Sequence, residues 1–529
     1  MTSTSVLDTH IAHTRGGNAI AIGITILLAI GVLYAGISLY DDLITAPAKS
    51  AFPYILLGIA LLIALAFEMC NGFHDTSNAV ATVIYTHSMA PNVAVVWSGM
   101  FNFLGVLTST GAVAFGIISL LPVELILQVG SSAGFAMVFA LLLAAITWNL
   151  GTWWFGIPNS SSHALIGSII GVGVANQLLA GNSGTSGVDW MQAVGVIKSL
   201  LFSPACGFIL AAGLLLLCRA FIRIPALYKA PEGNQPPPWW IRGLLILTCT
   251  GVSFAHGSND GQKGMGLIML ILIGTVPTTY ALNKSFPGPQ QLAAFEQGSS
   301  VASAIVKGKA EGYQVLGNPR PAVTLYVAQH QINEGTYPSL AALIDDIGHQ
   351  VQQYGSLAKI PAAQVGNTRN DMYLASEALR LLVKDNEAQL SAGDVAKLNT
   401  YKASLDSSTK FIPTWVKVAV AIALGLGTMI GWKRIVVTVG EKIGKEHLTY
   451  AQGASAELVA MGTIAAADMY GLPVSTTHIL TSGVAGTMAA NGSGLQWGTV
   501  KNLALAWVLT LPVAIMLSGG LFALFLRVF

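Results

Sequence analysis

The sequence predicts an all-α, polytopic membrane protein made of two internal repeats, with helices broken at polar motifs and with re-entrant hairpins. Three observations carry that class. Hydrophobic residues make up 53% of the 529 and charged residues 9%, against about 25% charged in ordinary soluble domains. Two short polar strings inside apolar segments recur in the same order: Gly72-Phe-His-Asp75 returns as Gly257-Ser-Asn-Asp260, and Gly156-Ile-Pro-Asn-Ser-Ser-Ser-His163 returns as Gly471-Leu-Pro-Val-Ser-Thr-Thr-His478. Tandem, glycine-broken polar motifs at corresponding positions mark a membrane protein built from duplicated halves. The spacings then agree once one insertion is allowed. Asp75 to His163 is 88 residues (163 − 75) and Asp260 to His478 is 218 (478 − 260), an excess of 130 (218 − 88) that nearly matches a polar tract from about Lys284 to Lys410.

The elements follow in order. The first apolar stretch, Ala19–Leu39, lacks a short charged–apolar–small pattern and reads as a retained helix outside the repeats, in a segment 1–50. The first repeat occupies 51–225, with spanning segments Tyr54–Ile84, Val93–Leu121, Phe135–Phe155 and Val194–Leu217. A proline-rich linker, 226–241, precedes the second repeat in 242–283 and 411–529, with Leu244–Ile273, Val416–Gly431, Glu457–Tyr470 and Leu503–Leu526. A hydrocarbon core about 30 Å thick needs roughly 20 helical residues. Tyr54–Ile84 and Leu244–Ile273 exceed that, and each holds one Asp motif, so a break at the motif is expected. Ala164–Val174 and Ile479–Met488, which follow the Ser/Thr motifs, are too short to span and suit re-entrant hairpins, whose irregular backbone must line a cavity or lie inside protein. Arg219, Arg223, Lys229 and Arg242, then Lys433, Arg434, Lys442 and Lys445, mark two cytoplasmic loops and leave 284–410 on the far side. Helix count stays one crossing short unless the helices around Pro204 and Pro512 are split. The insertion reads as helical over Ser339–Tyr354 and Met372–Leu390, carries no catalytic motif, and is expected to be a solvated cap dispensable for chemistry.

Composition excludes much. Net charge is +2 with no dense basic cluster, so no nucleic-acid partner is implied. Cys70, Cys206, Cys218 and Cys249 form no CxxC and read as buried, inert thiols. No cofactor and no resident metal site is indicated.

The motifs carry the chemistry. Asp75 and Asp260 are carboxylates in apolar helices, each costing about 2.5–3.5 kcal/mol on insertion scales, and so must line a cavity or meet a counter-charge. Pro158 and Pro473 suit the first turn of a helix. The hydroxyls after them, Ser160, Ser161, Ser162 and Ser475, Thr476, Thr477, then sit with free backbone amides at a positive helix end, a ready anion site. Ordinary N-capping explains one such string easily and two matched strings poorly. His163 and His478 orient those turns or carry protons. Glu68 is a further proton candidate, although its counterpart is Ser253. Asn78 stands three residues after Asp75, whereas Lys263 stands three after Asp260, which places a fixed ammonium where a metal ion would otherwise sit.

Asn71-Gly-Phe-His-Asp-Thr-Ser-Asn-Ala-Val-Ala-Thr-Val-Ile-Tyr-Thr86, His256-Gly-Ser-Asn-Asp-Gly-Gln-Lys-Gly264 and Pro473-Val-Ser-Thr-Thr-His478 resemble the PiT family of inorganic phosphate transporters, nearest to the bacterial low-affinity permeases of Gram-negative inner membranes. Gly425–Trp432, Gly440–Lys445 and Leu511–Gly520 agree with it. The resemblance implies inverted repeats, alternating access and no enzyme activity. It also implies phosphate held by Asp75, Asn78, Asn259, Asp260, Ser160, Ser161, Ser162, Ser475, Thr476 and Thr477. Sodium-coupled relatives carry Asn at the places of His74 and Lys263, so the resemblance here favours proton symport, with phosphate taken alone or with a divalent metal ion. The lipid bilayer is the other partner, and a homodimer is an open option. Sulfate permease and sodium-coupled symport are the alternatives within the family. Outside it stand a hydrolase using Ser161 or Thr476 with a histidine, and a channel.

Overall fold

The computed structural model describes residues 18–44, 52–180 and 187–528, except 232, 234, 311, 313, 314, 316 and 385–388. Among the described residues every regular element is helical. The N-terminal side of the chain gives α1 (Asn18–Ile44), α2 (Phe52–Tyr85), α3 (Pro91–Thr108), α4 (Ala112–Ile118), α5 (Val123–Leu127), α6 (Ser132–Trp154), α7 (Ser161–Ala180) and α8 (Trp190–Phe221). After the linker come α9 (Trp239–Thr275), the short α10 (Pro277–Tyr280), and the insertion helices α11 (Pro289–Lys307), α12 (Arg320–Gln329), α13 (Thr336–Tyr354), α14 (Ala362–Lys384) and α15 (Ala392–Thr409). The chain closes with α16 (Thr414–Ile430), α17 (Lys433–Glu441), α18 (Tyr450–Met469), α19 (Thr476–Asn491) and α20 (Trp497–Phe525).

Seven of the described helices (α1, α2, α3, α6, α7, α8 and α20) are long and apolar enough to cross a membrane, or eight spans if α15 and α16, bent by 74°, count as one. α9 is long enough at 37 residues but carries His256, Asn259, Asp260, Gln262 and Lys263 through its middle. Four expectations need correction. α2 and α9 run unbroken through their Asp motifs, over 34 and 37 residues; neighbouring helices enclose the polar side chains, so no backbone break is needed to accommodate them. The break falls in the run expected as Val93–Leu121, which divides into α3 and α4 at Gly111, a residue at φ +89° where an L side chain is strained. α8 and α20 likewise continue through Pro204 and Pro512. α7, at 20 residues, also exceeds the short piece expected after the first Ser/Thr motif.

Packing between the halves is reciprocal. α2 packs on α16 and α9 on α3; α7 packs on α20 and α19 on α8. The motif glycines explain the first exchange. A Cβ on Gly72 would stand 2.2 Å from Leu424 O, and one on Gly257 would stand 2.2 Å from Asn102 O. Each crossing therefore requires backbone against backbone, the small-residue packing that helices use in lipid.

The insertion is not a detached cap. Its core residues Leu340, Leu374 and Leu405 belong to one continuous apolar cluster with Leu57, Leu141 and Ile268 of the membrane helices. Arg369 and Asn370 of α14 donate to Ile126 O (3.3 Å) and Leu127 O (3.1 Å). Asp189, which caps α8 through Gln192 N, accepts from Arg380 at 3.2 Å.

Candidate functional site

The two Asp motifs face each other at the crossing of α2 and α9. One ligand atom each from Asp75, His256 and Asp260 lies within 4.8 Å of the others, all three residues buried. Lys263 Nζ stands 2.7 Å from Asp260 Oδ1 and donates to Ser162 Oγ at 2.5 Å. One ammonium thus joins the second Asp motif to the first Ser/Thr motif. His256, one turn before Asp260, approaches Asp260 Oδ2 at 3.5 Å through Nε2, and its Nδ1 meets Asn102 Oδ1 at 2.8 Å.

The Ser/Thr motifs form the second wall. The non-helical links 155–160 and 470–475 each begin with a turn and carry Pro158 and Pro473, so neither proline sits in a first turn as expected. The first hydroxyl of each string is the helix cap: Ser160 Oγ accepts from His163 N at 3.2 Å and Ser475 Oγ from His478 N at 3.1 Å. Capping therefore accounts for one hydroxyl per string and leaves the next two for other partners. Ser161 Oγ donates to Asp75 Oδ2 at 3.1 Å, and Ser162 Oγ to Val474 O in the opposite hairpin at 2.7 Å. Thr476 Oγ1 is buried without a hydrogen-bond partner, as is Asp75 Oδ1. Thr477 is fully buried. Asn259 Nδ2 donates to Leu472 O at 3.1 Å, which ties the second Asp motif to the second hairpin.

The histidines split. His163 and His478 pack against each other across the hairpins, with ring centroids 4.5 Å apart and ring planes tilted by 43°, and His163 Nδ1 lies 2.8 Å from Ser160 Oγ. His74 instead turns toward α6, with Nε2 2.6 Å from Asn149 O. Glu68 is fully buried beside Asn71, 3.4 Å away, and against Gly264. Asn78 lies in α2, with its side chain outside the described residues.

Asn71 was not foreseen as a site residue. With its amide nitrogen turned inward it donates to Asp75 Oδ2 at 2.8 Å and to Ser161 Oγ at 2.9 Å. Nor was His256, at the equivalent place in the other repeat. The available signal was a polar residue four positions before each motif Asp. Asp468, which accepts from Ser258 and Gln262 at 2.6 Å each, and Glu457, fully buried and bonded by Thr248, were also missed.

Buried carboxylates, an ammonium and helix-end hydroxyls enclosed among long apolar helices define a multi-pass membrane protein with an internal polar site. A model of the phosphate transporter family matches residues 71–518, and the chain belongs to that family. It is 43% identical over 490 residues to the low-affinity inorganic phosphate transporter PitA of Escherichia coli (strain K12), covering 89% of this chain and 97% of that one. PitB of the same organism is 42% identical, covering 88% and 97%. A probable low-affinity inorganic phosphate transporter of Bacillus subtilis (strain 168) is 28% identical, covering 88% and 96%. A solved sodium-dependent phosphate transporter aligns over 89% of this chain and 98% of its own, with a TM-score of 0.47 and 17% identity.

Proposed function

We propose that this protein imports inorganic phosphate across a bacterial inner membrane by proton symport with alternating access, taking phosphate alone or complexed with a divalent metal ion. The carrying observation is the position of Lys263, whose Nζ contacts Asp260 and Ser162 at once. Its ammonium offers a tetrahedral oxyanion a positive charge, with the starts of α7 and α19 as further donors. Asp75 and Asp260 accept the hydrogen bond that a protonated phosphate can donate and sulfate cannot. The family membership and the names of the relatives support phosphate as the substrate.

Coupling follows from the same lysine. A fixed ammonium about 4 Å from a sodium ion repels it by roughly 4 kcal/mol at an effective dielectric of 20, close to a thousandfold in affinity. A proton differs from sodium in needing no coordination shell: it bonds covalently to a single carboxylate or imidazole, and Asp75, Asp260, Glu68, His163 and His478 supply such buried groups around the lysine. The two halves act as inverted repeats in this reading, and their reciprocal packing supports it. The test is labelled phosphate uptake into proteoliposomes with sodium and proton gradients imposed separately and sulfate as competitor. Uptake that follows the pH gradient, ignores sodium and resists sulfate is expected; sodium-driven uptake without a pH response would sink the coupling assignment.

A further inference from the structure

The link between α6 and α7 and the link between α18 and α19 are held in different ways. Link 155–160 is fastened from outside the polar site. Thr438 Oγ1 of α17 donates to Gly156 O at 2.7 Å, and Trp507 Nε1 of α20 to Pro158 O at 3.2 Å. Asn159 then joins two helices: its Oδ1 accepts from Thr510 of α20 at 2.6 Å, and its Nδ2 donates to Asn149 Oδ1 of α6 at 3.4 Å. Asn149, Asn159 and Thr510 are all fully buried. The second link, 470–475, lacks this network. His163 and His478 are 315 apart (478 − 163), so Asn159 corresponds to Val474 and Asn149 to Ile464. A Cβ on Gly171 would stand 2.2 Å from Ile515 O and one on Gly486 2.2 Å from Phe208 O. That offset of 307 (515 − 208) pairs Thr510 with Ser203, whose hydroxyl turns back to Leu200 O of its own helix at 2.9 Å. Val474 and Ile464 sit together in a small apolar cluster. Among the described residues, the side-chain donors to this link are Asn259, to Leu472 O, and Ser162, to Val474 O. Asp468, just before the link, is likewise held by Ser258 and Gln262 beside Asp260. The second link is therefore tied to the polar site, and the first to the helices around it.

We propose that Asn159 is a positioning residue that anchors the first link, so that Ser160 and Ser161 form the fixed wall of the site and the link 470–475 forms the wall that opens. The inference rests on the reading of this site as one for phosphate. Asparagine suits the task, because a neutral amide accepts and donates at once without adding charge beside two carboxylates. Burial makes each of its bonds costly to lose. A donor set already held in place binds more tightly, since little remains to be ordered when the ligand arrives. The opposite wall is held by Asn259 and Ser162, groups that the ligand would itself engage. Filling the site and releasing that wall thus draw on the same donors.

The test is hydrogen–deuterium exchange of the full chain in nanodiscs, without and with inorganic phosphate, alongside labelled phosphate uptake. The two links make matching backbone bonds, from Phe155, Gly156 and Ile157 in one and from Tyr470, Gly471 and Leu472 in the other. A difference in exchange, corrected for intrinsic rates, therefore reports the side-chain anchors. Without phosphate, 470–475 is expected to exchange roughly fivefold faster than 155–160, or more. Asn159→Val, which installs the residue of the other repeat, should bring 155–160 up to the rate of 470–475. It should also raise KM for phosphate roughly fivefold with the maximal rate within about twofold. Thr510→Val should do the same, and serves if Asn159→Val does not fold. A merely structural role would reduce the amount of folded protein and leave KM unchanged. Equal exchange of the two links in the unmutated protein, or an unchanged KM in the folded variants, would overturn the assignment. A slow first link and a fast second one, neither responding to phosphate, would bear out the anchor and count against phosphate as the occupant.

Discussion

At the scale of single residues, one ammonium balances a buried pair of carboxylates. Lys263 and Asp260 are both fully buried and 2.7 Å apart, and removing one partner of such a pair costs about 3–5 kcal/mol because the other is left uncompensated. Lys263→Asn is therefore expected to lower both the melting temperature and phosphate uptake. The double variant Lys263→Asn/Asp260→Asn separates the two effects: it should regain much of the stability and none of the uptake. Recovery of uptake in the double variant would mean that the lysine only neutralises its neighbour. The sequence made this centre legible because repetition put Asp75 against Asp260 and Asn78 against Lys263. Asn71 and His256 stayed unread, since neither carries a fixed charge to contrast with its apolar run. Their contacts with the carboxylates depend on the crossing angle of α2 and α9, which no local pattern encodes.

At the scale of elements, helix crossings depend on missing side chains. Gly72→Ala and Gly257→Ala each place a methyl 2.2 Å from a carbonyl oxygen, and overpacking of that kind costs about 1–3 kcal/mol. Each variant should melt lower in detergent, whereas Gly58→Ala, with open space around it, should be neutral or slightly more stable because alanine favours helix. Equal behaviour of all three would show that these crossings are not tight. The continuity of α2 and α9 was not legible. Polarity inside a long apolar run reads as a break, yet here Asp75 and Asp260 are accommodated by Asn71, His256 and Lys263 of the same two helices and by Ser161 of α7. The division at Gly111 was equally hidden, because a glycine in an apolar run is common and only its positive φ gives the turn. Length and hydropathy did locate most spanning helices to within a few residues.

At the scale of the whole molecule, the insertion clamps onto the first half although it lies inside the second in sequence. Arg380 makes one such contact, on Asp189, and buried Glu377 holds it in place. Burial raises the Glu377 pKa, but Lys410 and Arg380, at 3.2 and 2.6 Å, outweigh that and hold it below the usual carboxylate range. A depressed carboxylate stabilises the fold above its unfolded pKa of about 4.3 and loses that contribution as pH falls further. The melting temperature should thus drop below about pH 4, and Glu377→Gln should be less stable than the parent at pH 6, with the difference shrinking as pH falls below about 4. A constant difference across that range would contradict the assignment. Excising 284–410 for a short linker uncovers the apolar surface under α14, so a less stable protein with uptake retained per folded molecule is expected; loss of uptake in well-folded protein would give the insertion a part in transport. The interlocked halves also set a schedule for biogenesis. The small-residue seam of α7, where a Cβ on Gly171 would meet Ser518 and Ile515, faces a helix that begins 336 residues later (497 − 161). At about 5–20 residues per second of synthesis, that partner emerges roughly 17–70 s afterwards. For that interval lipid, or a membrane chaperone, must cover a face shaped for a helix not yet made.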